Sequence, residues 1–141
     1  MGERKVISGI LTIILFLTMA GCEIDTSVTI DGKNPPSFKV SGSGGINFLR
    51  VADITDCNKS LLDCPVLWQV DPIGGQVSIA DLPRVIYAQT PQGFHQTIPA
   101  NDAPAPALVE GKTYNLYAPT YNANGGGVRF IIRAGKSVEF K

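Results

Sequence analysis

The residue types that most often carry catalysis are scarce and isolated in this sequence. His95 is the single histidine, and a general base or a zinc site needs a histidine that converges with further polar groups. Because Phe94 precedes it and Gln96 follows it, we interpret it as a surface or edge-strand residue. No serine stands in a Gly-x-Ser-x-Gly motif, since Ser41 occupies the place of the first glycine relative to Ser43. The chain is therefore predicted not to be an enzyme, and no cofactor is expected.

Four oxygen-bearing side chains surround one short segment, and they form the candidate metal site. Carboxylate and amide oxygens are the ligands that Ca²⁺ takes in proteins, so calcium is the ion that this cluster suggests. The spacing matches no EF-hand loop, and solvated loop carboxylates are the alternative interpretation. The four residues are Asp53, Asp56, Asn58 and Asp63.

Two cysteines lie within the same segment. Cys57 and Cys64 are seven positions apart, and in an oxidising compartment such a pair is most simply a disulfide. A redox-active pair is the alternative, but it normally has the closer Cys-x-x-Cys spacing that tunes one thiol with the other. We therefore predict a structural Cys57–Cys64 disulfide.

The first 21 residues have the pattern of a secretory leader. Arg4 and Lys5 precede an uncharged, mainly apolar run over residues 6–19, and small residues follow before Cys22. As a helix, residues 6–21 would span about 24 Å, which is less than the ~30 Å hydrocarbon core of a bilayer. An uncleaved anchor and a buried core helix are the alternative interpretations.

Residues 19–22, Met-Ala-Gly-Cys, resemble a bacterial lipobox, with Met19 where leucine is most common. The resemblance implies cleavage before Cys22 and acylation of its sulfur and new amino terminus, which anchors the mature protein in membrane lipid. The chain then divides into a helical lipoprotein signal peptide (1–21), a lipidated tether (22–27) and one folded domain (28–141). The expected location is the cell envelope, at the outer membrane facing the periplasm. Glu23 resembles an acidic signal for inner-membrane retention, so the inner membrane stays open.

The part of the chain after the leader has the composition of an all-β domain. From residue 22 onward it carries ten basic and eleven acidic side chains, so nothing in its charge indicates a nucleic-acid partner. The 15 glycines and 10 prolines of the chain are scattered between short alternating segments. Seven to nine strands are predicted, with the segment 91–106 as a long surface connection that carries one short edge strand. The clearest strands are 46–53, 66–70, 84–90, 108–118 and 128–133.

One strand carries a family resemblance. The pattern of Leu108, Gly111, Tyr114 and Leu116 is similar to the E–F corner of immunoglobulin-like and fibronectin type III domains. The resemblance implies a β-sandwich in which the buried ring of Tyr114 directs its hydroxyl back to the local backbone. Trp68 would then be the core tryptophan, on the second or third strand of the sandwich.

Together these features predict a lipid-anchored, non-catalytic binding or structural module. Its partner would be an envelope protein or a cell-wall component, reached through loops, a strand edge or an exposed aromatic patch. Phe94, Tyr117 and Tyr121 are the aromatic candidates. A small periplasmic inhibitor of a cell-wall hydrolase, with the segment Pro91–Pro106 projecting into a cleft, is the first alternative. A minor envelope enzyme is the second.

Overall fold

The alternating apolar and polar residues of this chain fold into strands. The computed structural model describes residues 24–141, so the predicted signal peptide (1–21) and the lipidation site Cys22 lie outside the described residues. Within 24–141 the helical pieces are two single 3₁₀ turns, and no helix there is long and apolar enough to cross a bilayer. The prediction of an all-β fold is confirmed for this part of the chain.

Residues 24–141 form twelve strands, so the predicted number of seven to nine is not confirmed. The predicted strand 46–53 is divided in two, because the backbone N–H of Asn47 donates to the carbonyl of Pro119 (3.0 Å). Four strands contain only two residues, and pairings this short leave no readable period in a sequence. The strands are β1 (Ser27–Ile30), β2 (Ser37–Ser41), β3 (Gly45–Ile46), β4 (Leu49–Asp53), β5 (Val66–Pro72), β6 (Val77–Ser78), β7 (Val85–Ile86), β8 (Phe94–Ile98), β9 (Thr113–Ala118), β10 (Thr120–Tyr121), β11 (Gly126–Arg133) and β12 (Lys136–Glu139). The 3₁₀ turns are Leu61–Asp63 and Ile79–Asp81.

The strands are arranged in three antiparallel sheets. The large sheet has the order β12-β11-β9-β4-β5-β8, and a smaller sheet has the order β1-β2-β7. A third sheet, β10-β3-β6, consists of two-residue strands.

The core lies between the large sheet and the β1-β2-β7 sheet. The ring of Phe38 on β2 lies 5.7 Å from the ring of Phe130 on β11, measured between centroids. Trp68 on β5 is fully buried and meets Tyr87 edge-on at 5.8 Å. Burial of side chains this large contributes about 2–3 kcal/mol each, so these contacts hold the two sheets face to face.

Between residues 84 and 106 the structure corrects two expectations. The predicted strand 84–90 is reduced to Val85–Ile86, because Ala88 adopts a positive φ of 66° within a turn. The segment 91–106 is expected to contain one short edge strand at 97–98. An edge strand does include these residues, but it is longer: the five residues Phe94–Ile98 lie at the edge of the large sheet beside β5.

The residues of the E–F pattern are close together. Tyr114 is buried, and its hydroxyl accepts a hydrogen bond from the backbone N–H of Val109 (2.8 Å). Leu108 packs in the core, while Gly111 is exposed and has a φ of +81°. Only glycine adopts that conformation without strain, so the chain can turn there toward β9.

The folded domain includes residues that precede the predicted boundary at residue 28. β1 starts at Ser27, and the backbone N–H of Thr26 donates to the carbonyl of Asn124 (3.1 Å). Ile24 exchanges hydrogen bonds with Ser43, whose backbone N–H donates to the Ile24 carbonyl (3.1 Å). Most of the predicted tether 22–27 is therefore part of the fold.

Candidate functional site

The loop between β4 and β5 is closed by the predicted disulfide. Cys57 and Cys64 are bonded, with their Cα atoms 5.7 Å apart, so this prediction is confirmed. Inside the loop the hydroxyl of Ser60 accepts the backbone N–H of Leu62 (3.4 Å) and caps the 3₁₀ turn Leu61–Asp63. The disulfide and the cap together fix where the two exposed leucines of that turn point.

The four candidate calcium ligands line one surface cavity of about 350 Å³, but Lys59 lines it too. The carboxylate of Asp53 is already engaged: it accepts the hydroxyl (2.6 Å) and backbone N–H (3.0 Å) of Thr55, and the Lys112 ammonium lies 2.9 Å away. Partial burial raises the pKa of Asp53, but these hydrogen bonds outweigh it and the pKa is lowered. Within residues 24–141 no three His, Cys, Asp or Glu side chains are grouped to hold a metal ion. The calcium hypothesis gains no support.

The aromatic candidates do not form one patch. Phe94 is buried in the core, so its predicted exposure is wrong. Tyr121 is exposed, and Tyr117 is half-buried on the outer face of the large sheet. His95 is exposed on β8, in register with Asp71 of β5. Of these residues, Tyr117 lies in a concave site.

That site is built from two cross-strand rows on the outer face of the large sheet. On the neighbouring strands β4, β9 and β11, the residues that point inward are fully or almost fully buried: Val51, Leu116 and Val128. Their neighbours point outward because side chains alternate along a strand. The register aligns these neighbours as one row of Arg50, Tyr117 and Gly127 and a second row of Ala52, Asn115 and Arg129.

Two walls turn this face into a groove. On one side stand Leu61 and Leu62 of the disulfide loop, and on the other stands Phe140 beyond β12. Two adjoining cavities of about 220 Å³ and 420 Å³ share Leu61, Asn115 and Tyr117. We call this feature the outer groove: its floor is the two rows, and its walls are these three apolar side chains.

Asn115 is the unusual residue of the outer groove. It is only 6% exposed and lines both cavities. Its side-chain amide has no hydrogen bond within residues 24–141, but it is not one of the fully buried polar atoms there that lack a partner, so its polar atoms reach the solvent in the groove. An amide offers two donors and a carbonyl acceptor. The groove therefore presents free hydrogen-bonding groups at its centre.

Arg50 is held in place at the edge of the groove. Its Nε donates to Oε1 of Gln69 (2.7 Å), and Nε2 of Gln69 donates to the carboxylate of Asp71 (2.9 Å). The guanidinium also lies 4.7 Å above the ring of Phe48, whose other neighbour is the ring of Tyr117 at 6.1 Å. These contacts fix the orientation of a positive charge at the edge of the groove.

Neither the groove nor Asn115 was predicted from the sequence. Asn115 stands at an outward-facing position of an alternating strand, where a polar residue is ordinary. Comparison with protein-family models, with curated proteins and with solved structures finds no match to this chain. What the outer groove does must therefore be argued from its own chemistry.

Proposed function

We propose that this chain is a lipid-anchored, non-catalytic binding module of the bacterial cell envelope, held at the outer membrane and facing the periplasm. In this proposal the outer groove takes an extended segment of a partner protein. The observation that carries it is Asn115, whose side-chain amide opens into the groove and has no hydrogen-bond partner in residues 24–141. A polar group at the centre of an apolar-walled concave site is the arrangement that orients a bound ligand.

The proposal includes an immunoglobulin-like sandwich as the scaffold. The orders β1-β2-β7 and β11-β9-β4-β5 correspond to strands A-B-E and G-F-C-C′ of such a sandwich. The Val109 to Tyr114 hydrogen bond supports the same correspondence, since β9 takes the place of strand F. Trp68 departs from it, because β5 takes the place of strand C′ and not of the second or third strand.

A peptide fits the groove better than a glycan does. The amide of Asn115 can accept a backbone N–H and donate to a backbone C=O of the same extended segment. The walls are Leu61, Leu62 and Phe140, which suit apolar side chains but would leave sugar hydroxyls without partners.

The charges around the groove indicate an acidic side chain on the partner. Arg50, Arg129 and Lys141 line the two cavities, whereas Glu139 is the acidic side chain among the lining residues. A segment that combines an apolar residue with a nearby carboxylate would complement both the walls and the rim.

Photo-cross-linking in intact cells tests this function. Benzoyl-phenylalanine is placed at Leu62, which is 55% exposed on the groove wall, and in a control strain at Ile73, which is 66% exposed and does not line the groove. We expect one discrete protein adduct from position 62 that is missing from position 73. The adduct should decrease about tenfold when Asn115→Leu is added, which corresponds to about 1.4 kcal/mol.

Two results would contradict the proposal. Identical adducts from positions 62 and 73 would show that the contact is unspecific. An adduct at position 62 whose mass is that of a cell-wall glycan fragment would replace the protein partner with a carbohydrate.

The hydrolase-inhibitor alternative has less support. It needs the segment 91–106 to project freely, but Gln96 Nε2 donates to the carbonyls of Pro99 (2.9 Å) and Ala103 (2.8 Å). The hydroxyl of Tyr87 donates to the Pro106 carbonyl at 2.6 Å. A segment held at three carbonyls is part of the domain surface.

A further inference from the structure

The first described residues are attached to the fold on two sides. Ile24 bonds the loop between β2 and β3, because its N–H donates to the hydroxyl of Ser43 (2.9 Å) and its carbonyl accepts the Ser43 N–H (3.1 Å). On the opposite side, the Thr26 N–H donates to the Asn124 carbonyl (3.1 Å). The amide of Asn124 donates to the carboxylate of Asp25 (3.0 Å). The chain is therefore fixed from Ile24 onward.

Two glycines make room for this segment. A Cβ atom at Gly42 would lie 2.9 Å from the Cα of Thr26, and one at Gly126 would collide with the Thr26 carbonyl oxygen. Thr26 itself is buried. The backbone of residues 25–26 thus lies in a slot beside Gly42 and Gly126, where neither glycine could carry a side chain, as expected of a segment built into the fold.

The distance from the predicted acylation site to this slot is very short. Ile24 follows Cys22 by two positions, with Glu23 between them, and an extended chain covers at most about 7 Å over that distance. A domain on such a short connection cannot turn its other surfaces toward the bilayer.

The surface around the slot is suited to lipid headgroups. Ile24 is 63% exposed and Tyr121 is 47% exposed. The Tyr121 carbonyl lies against Gly44, so both residues flank the loop 42–44. Tyrosine has an apolar ring and a polar hydroxyl, the combination that is enriched at membrane interfaces. In the ranges 24–26, 42–45 and 119–127 the one charged side chain is the acidic Asp25. Contact of this surface with the bilayer therefore does not depend on electrostatic attraction to anionic lipids.

We infer that the end of the domain formed by residues 24–26, the loop 42–44 and Tyr121 lies directly on the bilayer, with Ile24 and Tyr121 among the lipid headgroups. We call this end of the domain the anchor end. The inference rests on the lipid anchor of the proposed function. β11 starts at Gly126, beside Thr26, and its eight residues lead away from the anchor end over about 23 Å. The turn at 134–136 therefore faces away from the membrane, and the outer groove opens sideways, along the membrane surface.

Fluorescence quenching in vesicles tests the orientation. The acylated protein is reconstituted into phosphatidylethanolamine vesicles that contain a lipid with a headgroup nitroxide. Because Cys57 and Cys64 are bonded and Cys22 is acylated, one introduced cysteine can be labelled selectively. Labels at Tyr121→Cys and, as the matched control, at Lys136→Cys report the two ends of the domain. We expect at least about threefold stronger quenching at position 121, since the two ends of the domain lie about 23 Å apart along β11.

The linker provides the second arm. Inserting twelve Gly/Ser residues between Glu23 and Ile24 should bring quenching at the two positions close together, because a flexible linker of that length lets the domain rotate. Replacing part of the lipid with phosphatidylglycerol, or raising the salt concentration, should leave the wild-type difference unchanged.

The outcomes separate the two proposals. Mass spectrometry of the membrane-extracted protein that shows no acyl group on Cys22 would overturn the lipid anchor, and this inference with it. An acylated protein whose labels at 121 and 136 are quenched equally would overturn the orientation alone.

Discussion

Replacing Asn115 with leucine should stabilise the free protein and weaken its binding. Leucine has nearly the same shape as asparagine but no amide, so the variant removes the hydrogen-bonding groups that face the groove. Water reaches the amide in the free protein, so the gain comes from strand propensity, because asparagine is unfavourable in strands, and from new apolar contact with the groove wall. We expect a gain of about 1 kcal/mol in the free energy of unfolding.

The assay is urea denaturation of residues 22–141 with the disulfide intact, followed by thermal unfolding. The midpoint should rise at an unchanged m-value, because the folded surface stays the same. For a domain of this size, about 1 kcal/mol corresponds to a rise of about 3–5 °C in Tm. In cells the same variant should lose the cross-link from Leu62. A gain in stability together with a loss of binding is the mark of a residue kept for its ligand.

Gln69→Met is the matched control for this prediction. Gln69 is also an amide on the outer face of the large sheet, but it bonds both Arg50 (2.7 Å) and Asp71 (2.9 Å). Its replacement should cost about 1–2 kcal/mol, because two charged groups lose their partner. If Asn115→Leu were as destabilising as Gln69→Met, the amide would be satisfied within the folded protein. The outer groove would then lose the observation on which its function depends.

Three further predictions concern the scaffold. Asp31→Asn should lower the free energy of unfolding by about 1–2 kcal/mol at pH 7, measured by urea denaturation. Partial burial raises the pKa of Asp31, but hydrogen bonds from Ser37 and Lys33 outweigh this effect and lower the pKa to about 2. Because the folded-state pKa is the lower one, this contribution is present above the unfolded value of 3.8 and is lost as the pH falls through about 2. The two proteins should then converge, and a wild-type advantage that persisted at pH 2 would contradict this origin. Tyr114→Phe should cost about 1 kcal/mol, because the N–H of Val109 loses its acceptor; an unchanged midpoint in thermal unfolding would show that the bond contributes nothing. Replacing both bonded cysteines with serine should cost about 2.5 kcal/mol from loop entropy, measured by urea denaturation, and weaken the Leu62 cross-link. Retention of the full cross-link would mean that the groove wall does not depend on the disulfide.

The sequence was sufficient where a local signal decides the structure. The alternation of apolar and polar residues over 128–133 predicts which residues of β11 face the core, and the short spacing of Cys57 and Cys64 predicts their disulfide. It was insufficient where distant segments compete for the same backbone groups. The break after Ile46 depends on the carbonyl of Pro119, which is 72 positions away from Asn47. The whole of β8 depends on pairing with β5, and neither dependence leaves a trace in the local period.

The outer groove shows why the most informative residue was also the least visible. By its period, Asn115 belongs to the solvent-facing side of β9, between the inward-pointing Tyr114 and Leu116. A polar residue there agrees with every local rule. The position becomes a buried one because the wall carrying Leu61 stands over this face, as the burial of the neighbouring Ala52 also shows. The low exposure of a polar residue at an outward-facing strand position therefore results from a loop that lies more than fifty residues earlier in the chain. Removing the wall should remove the apolar contacts that a leucine gains at this position: Leu61→Ser together with Leu62→Ser should reduce the stabilisation that Asn115→Leu brings. If the full stabilisation persisted without the wall, the gain would come from strand propensity alone, and contact with the wall would not be its cause.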